Sequence, residues 1–176
     1  NRDDNRGKLV ARWLYEHWFM ATLYFPDLGG ELRFFELIRS VTAPGKDIIP
    51  IPTVFPNDDP EQPFFYRIRP ISGSILHKRR IPYPLSPAKQ QRINELFFAG
   101  EWTMGDLPGY SYAERVNPFA TFAAIPAYAR YRFMLDDAEF YVRNVIHGPV
   151  CRGQIATDVL HDLFWVLFQN PQSDLF

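Results

Sequence analysis

The residue whose chemistry is easiest to name is Cys151, the only cysteine of the chain. It lies in the segment Gly148, Pro149, Val150, Cys151, Arg152, Gly153 and Gln154. A thiol that opens a helix beside Arg152 has a lowered pKa and can act as a nucleophile. The alternative is a small buried cysteine in a tight turn whose glycines serve the backbone. No histidine spacing supports a thiol enzyme, so the structural interpretation is favoured and a cysteine hydrolase remains the alternative.

The four histidines show no zinc-binding spacing, and we predict no metal site within the chain. His17 follows Glu16 in an aromatic-rich stretch. This pair predicts either a proton-transfer or metal-contacting histidine oriented by its neighbour, or a half-buried helical histidine. His147 lies at a predicted helix end, where a partial positive charge suits the helix dipole. His161 is most simply part of a solvent-side pair with Asp162.

One basic cluster stands out, and it consists of His77, Lys78, Arg79 and Arg80. Such a run can bind phosphates of lipid headgroups or nucleic acid, or it can be a solvated loop. The chain as a whole carries a net charge of −1, which excludes a globally basic nucleic-acid binder. The glycines form neither dinucleotide-binding nor P-loop spacing.

The composition is that of an ordered, aromatic-rich protein of 176 residues. Hydrophobic residues make up 47% and aromatic residues 16%, which excludes disorder as the main state. The 16 prolines predict short elements with rigid connections. The longest apolar run, residues 163–168, is far too short to span a bilayer. We expect one domain, or an internal segment of a larger protein, over residues 1–176.

The first half of the chain should position Glu16 and His17 on a helix over residues 6–25, capped by Asp3, Asp4 or Asn5. Proline-rich residues 31–84 favour a small antiparallel sheet. Its predicted strands cover residues 48–55 and 64–71, with a third at 74–77. Residues 32–41 fit a strand or a short helix.

The second half is predicted to be helical. A helix begins after Ser86 and Pro87, a loop covers residues 101–116, and Asn117 caps a short helix that Pro126 interrupts. A longer helix over 127–147 and a last one over 152–168 should form an antiparallel hairpin. The longer helix carries a predicted apolar stripe of Tyr128, Tyr131, Leu135, Ala138, Val142 and Val145. The fold class is therefore α+β, with the sheet packed against an N-terminal helix and a C-terminal helical hairpin.

Three strings together resemble the fatty acid cis/trans isomerase family of Gram-negative bacteria. The first is Arg12, Trp13, Leu14, Tyr15, Glu16 and His17, with Leu23, Tyr24 and Phe25. The second is Arg130, Tyr131, Arg132, Phe133, Met134, Leu135 and Asp136. The third is the segment 148–154, followed by Phe164, Trp165, Val166 and Pro171. The resemblance covers residues 11–171, and the segment around Cys151 is its most specific part.

The resemblance implies a periplasmic enzyme that converts cis double bonds of membrane phospholipid acyl chains to trans in place. Family members are longer than this chain and carry a c-type haem, whose oxidised iron would weaken the π bond by one-electron withdrawal. Such haem attachment uses a C-x-x-C-H motif, which a chain with one cysteine cannot contain. We therefore expect the haem to be attached outside this segment, and the segment alone to be inactive.

The resemblance also suggests roles for individual residues. Glu16, His17 and His77 become the catalytic candidates, with His17 a possible distal contact of the iron. The candidates for binding lipid phosphate are Lys78, Arg79, Arg80 and Arg152. The family pattern has histidines where this chain has Thr22 and Arg80. The alternative is therefore a divergent relative that acts as a non-catalytic lipid- or membrane-surface-binding module.

Overall fold

The computed structural model describes residues 4–29, 32–72 and 81–147. Three predictions lie outside these residues: the strand at 74–77, the helix at 152–168 and the hairpin that this helix would complete. In the described part, no helix is long and apolar enough to cross a membrane.

Helix α1 covers Asn5–Trp18 and confirms the predicted N-terminal helix only in part. Asp4 is its N-cap, and its carboxylate accepts a hydrogen bond from the backbone N–H of Gly7 at 2.6 Å. The predicted continuation to residue 25 is wrong, because strand β1 covers Ala21–Tyr24. A short apolar run fits a helix or a strand equally well, and pairing with two neighbouring strands decides for the strand.

The sheet has four strands in the order β3-β2-β1-β4, with β2 at Phe34–Ser40, β3 at Phe65–Pro70 and β4 at Ile81–Pro84. The β1–β2 and β2–β3 pairs are antiparallel, but β4 lies parallel to β1. The predicted α+β class is confirmed, whereas the sheet is mixed rather than antiparallel. β3 lies at one edge of the sheet and β4 at the other, so β4 pairs with β1 and not with β3, which precedes it in sequence. The two prolines of β4 lack N–H groups and are tolerated at an edge.

The predicted strand over residues 48–55 is also wrong. This segment makes a single isolated bridge, between Pro50 and Ser40. Proline cannot donate to a ladder, so a segment with Pro50, Pro52 and Pro56 cannot continue the pairing. The segment between residues 32 and 41 is the strand β2, which excludes the helical alternative.

Helix α2 covers Pro87–Phe98 and begins at the predicted cap, where Ser86 accepts from the N–H of Lys89 at 3.2 Å. Two four-residue helices follow, α3 at Tyr112–Arg115 and α4 at Pro118–Thr121, the second capped by Asn117 as predicted. The single helix predicted over 127–147 is wrong. The chain breaks at Asp137 into α5, Ala127–Asp136, and α6, Ala138–His147.

The break changes which residues are buried. Tyr128, assigned to the predicted apolar stripe, is 45% exposed. Among residues 127–142, the buried side chains are instead Ala129, Phe133, Phe140 and Tyr141. They join one core with α1, β1, β4 and α2, whose largest members include Trp13, Trp18, Leu23, Tyr83, Phe97 and Phe122. The end of α1 that carries His17 therefore packs against this aromatic core.

Candidate functional site

His17 lies in the last turn of α1, half-buried against aromatic rings. Its Nδ1 lies 2.8 Å from the carbonyl oxygen of Trp13, one turn earlier, and the two rings are in contact, tilted by 33° with centroids 3.8 Å apart. Because a carbonyl oxygen only accepts, Nδ1 carries the proton. Burial lowers the pKa of His17 to about 4, and the bond to Trp13 opposes that shift. At neutral pH the imidazole is therefore uncharged, with an unprotonated Nε2.

Two further rings complete the surroundings of His17. Phe133 of α5 and Tyr141 of α6 meet the imidazole edge-on, with centroids 5.9 Å and 5.8 Å away. The same two rings are 5.8 Å from each other. We call His17, Trp13, Phe133 and Tyr141 the four-ring cluster. All three neighbouring rings are uncharged, and burial among them favours the neutral imidazole.

Glu16 belongs to a different environment from its neighbour His17. Its carboxylate accepts from Nε of Arg12 at 2.8 Å. Arg12, 4% exposed, also donates from Nη1 to the carbonyl oxygens of Pro108 and Gly109. Burial raises the pKa of Glu16, and the nearby Arg12 lowers it in turn. The structure thus binds Glu16 to an arginine that holds the loop 108–109.

A second buried arginine, Arg39 of β2, was missed by the sequence analysis. It is 1% exposed and donates to the carbonyl oxygen of Asp58 at 2.8 Å and to Oγ1 of Thr53 at 3.0 Å. The guanidinium groups of Arg12 and Arg39 lie 4.0 Å and 5.5 Å from the ring centroid of Tyr110. An arginine inside an apolar predicted strand was the signal that could have revealed this cluster.

A polar network at the edge-strand residue Tyr83 was also missed. The hydroxyl of Tyr83 donates to Oδ2 of Asp137 at 2.6 Å, and Nζ of Lys89 donates to Oδ1 of the same carboxylate. Burial, and then the bond to Asp137, raises the pKa of Tyr83, so the phenol remains protonated. This network joins β4, α2 and the break between α5 and α6.

A family model that describes fatty acid cis/trans isomerase (CTI) matches residues 1–176. The chain belongs to this family. The predicted family resemblance is thereby confirmed over the full length. No curated protein and no solved structure matches the chain.

The structure describes the first two strings that carry the resemblance, and with them Glu16, His17 and Thr22. His77, Lys78, Arg79 and Arg80 lie outside the described residues, as does the segment 148–154 with Cys151 and Arg152. Thr22 in β1 is fully buried, and its hydroxyl has no hydrogen-bond partner within the described part of the chain. Among the described residues, no three His, Cys, Asp or Glu side chains gather as a metal site would require.

Proposed function

We propose that the protein containing this chain converts cis double bonds to trans in the acyl chains of membrane phospholipids, and that His17 lies at the site. Membership of the fatty acid cis/trans isomerase family supports the reaction. The observation that carries the site is the four-ring cluster, an apolar enclosure around one neutral, backbone-oriented imidazole. Acyl chains bind to apolar and aromatic surfaces with few, well-placed polar groups.

The chemistry of His17 fits this reaction. Rotation about a double bond transfers no proton between molecules, so the site needs no acid that releases one. The Nδ1 proton of His17 is held on the carbonyl oxygen of Trp13, and the low pKa keeps the ring uncharged. An apolar chain therefore meets no buried charge at this imidazole.

The proposal includes a c-type haem attached outside this chain, because one cysteine cannot form a C-x-x-C-H motif. The unprotonated Nε2 of His17 fits such a group, since neutral imidazole nitrogen is a common iron contact. When bound, the haem would supply the one-electron chemistry that weakens the π bond. The hydrogen bond from Nδ1 to Trp13 would leave Nε2 as the nitrogen of His17 able to contact it.

The remaining candidates have supporting roles in this proposal. Glu16, bound to Arg12, fixes the last turns of α1 against the loop 108–109. The phosphates of the substrate headgroups are bound by the basic residues Lys78, Arg79, Arg80 and Arg152. His77, which precedes Lys78 in the sequence, remains a catalytic candidate. The protein works in the periplasm, where phospholipid acyl chains are reached from the membrane surface.

The test is the ratio of trans to cis fatty acids in membranes of cells that attach c-type haem and express the complete protein. Gas chromatography should show a rise in trans isomers that His17→Ala abolishes in protein that accumulates and carries haem. Phe119→Ala is the control, because this ring is 71% exposed and the proposal assigns it no role. No rise with abundant haem-loaded wild type would overturn the proposal and favour a lipid-binding relative.

A further inference from the structure

The arrangement of the four-ring cluster depends on the break between α5 and α6. Phe133 and Tyr141 are eight residues apart. In one continuous helix their backbone positions would be separated by about 12 Å along the axis, at a rise of about 1.5 Å per residue, a distance of about two turns that is too far for their rings to meet easily. Their ring centroids are instead 5.8 Å apart, and both contact His17. The break therefore brings these two rings to one imidazole.

Asp137 is the residue at which the helix breaks. It follows α5 with φ −131° and ψ 35°, outside the helical region, and α6 begins at the next residue. Its backbone carbonyl accepts from the N–H of Tyr141 at 3.2 Å, one turn into α6. Asp137 thus lies midway between the two aromatic residues that meet His17.

The side chain of Asp137 attaches this break to two other elements. One carboxylate oxygen accepts from Tyr83 of β4 and the other from Lys89 of α2. Tyr83 is itself buried and lies opposite Leu23 in β1, the strand that follows α1. Hydrogen bonds to a charged acceptor are stronger than neutral ones, so this carboxylate holds three elements in one geometry.

We infer that Asp137 is a positioning residue of the isomerase site: by anchoring the α5–α6 break to Tyr83 and Lys89, it sets Phe133 and Tyr141 against His17. The inference rests on the proposed function in one respect, namely that His17 lies at the isomerase site. The positioning itself is a property of the fold, so it has a readout of its own.

That readout is the rate at which diethyl pyrocarbonate modifies His17 in the complete protein, resolved from the other histidines by peptide mass spectrometry. The reagent attacks an unprotonated imidazole nitrogen, and Nε2 of His17 is such an atom. Asp137→Ala should release the two rings and raise the rate at His17 several-fold. Tyr83→Phe keeps the ring and removes one of the two bonds, so it should give a smaller rise.

Asp136→Asn is the matched control. This neighbouring carboxylate also binds α2, by accepting from Nε of Arg92 at 2.7 Å, and it forms an ion pair with Arg132 within α5. Within the described part of the chain, none of these partners belongs to the sheet. Its loss should leave the rate at His17 unchanged. An equal rise in Asp136→Asn and Asp137→Ala would indicate general loosening and would overturn the inference.

A wild-type rate at His17 in folded Asp137→Ala would also overturn it. Should Asp137→Ala fail to accumulate, the rate in Tyr83→Phe decides alone, and a wild-type value there contradicts the inference. The trans fatty acid ratio distinguishes a failure of this inference from a failure of the proposed function. If His17 is modified faster in Asp137→Ala but the ratio does not depend on His17, the positioning stands and the assignment of the site to His17 is refuted.

Discussion

Thr22 lies directly opposite Pro82 in the parallel pair of β1 and β4. The threonine is fully buried at this point, and its hydroxyl finds no partner in the described part of the chain. A larger side chain would have to enter a close-packed interior here, so the packing around this position suits a residue of the size of threonine.

We expect Thr22→Val to be neutral or to stabilise the protein by about 1 kcal/mol, since it replaces an unpaired buried hydroxyl with a methyl group of similar size. The free energy of unfolding in urea measures this change. Thr22→Ser keeps the hydroxyl, removes a methyl group and should destabilise by about 1 kcal/mol. A clear loss of stability in Thr22→Val would show that the hydroxyl does have a partner.

Arg12 and Glu16 form a buried ion pair, and the loss of stability should depend strongly on which of the two residues is replaced. Arg12→Met leaves a half-buried carboxylate without its cation and should destabilise the protein by about 3–5 kcal/mol. Glu16→Gln keeps an oxygen that can accept from Arg12 and should lower stability by about 1 kcal/mol. Denaturant unfolding measures both.

The control for that pair is Arg92→Met, because the side chain of Arg92 is 35% exposed whereas that of Arg12 is 5% exposed. Exposed pairs contribute about 0–1 kcal/mol, so this change should have little effect. Equal losses in Arg12→Met and Arg92→Met would contradict the distinction between the two pairs.

Local patterns predicted the capped elements of this fold well. Ser86 and Asn117 cap the helices at which the sequence placed them, and Asp4 is one of the three caps predicted for α1, because an N-cap depends on a few adjacent residues. The sheet was predicted less well. Whether residues 21–24 form a strand, and whether β4 runs parallel to it, depends on partners more than fifty residues away.

The candidate site was likewise predicted only in part. The sequence singled out Glu16 and His17 as neighbours, but an α-helix turns about 100° per residue, so they face different surroundings. The break at Asp137 was not visible, because nothing in the local pattern interrupts a helix there. The two side chains that bind Asp137 at the break, Tyr83 and Lys89, are 54 and 48 residues away in sequence, and only the fold brings them to it.

Stability should depend on pH through His17. Its pKa of about 4 in the folded protein lies below the ordinary value of 6.5, so the unfolded state binds more protons between these values. The folded state is therefore stabilised relative to the unfolded state above pH 6.5 and loses this advantage as the pH falls toward 4, by about 3 kcal/mol at most.

Urea unfolding of wild type and His17→Gln across this pH range tests the expectation. Glutamine does not titrate, so the stability of wild type relative to the variant should decline as the solution becomes more acidic. A difference that stays constant from neutral to acidic pH would mean that His17 keeps its ordinary pKa in the folded protein.

Phe133 is the ring on which the core and the candidate site depend together. It is fully buried and contacts Trp13, Trp18, Phe97 and Tyr141 as well as His17. Phe133→Ala should destabilise the protein by about 3–5 kcal/mol, because it removes a large side chain from a packed interior. Phe119→Ala, at an exposed ring, should change stability by no more than about 0.5 kcal/mol.

Phe133→Leu retains most of the volume and should restore most of the stability, but it removes the edge-on contact with the imidazole. If Phe133→Leu recovers stability and still lowers the trans fatty acid ratio, the ring acts on His17 and not only on the core. A full recovery of both would assign Phe133 to packing alone.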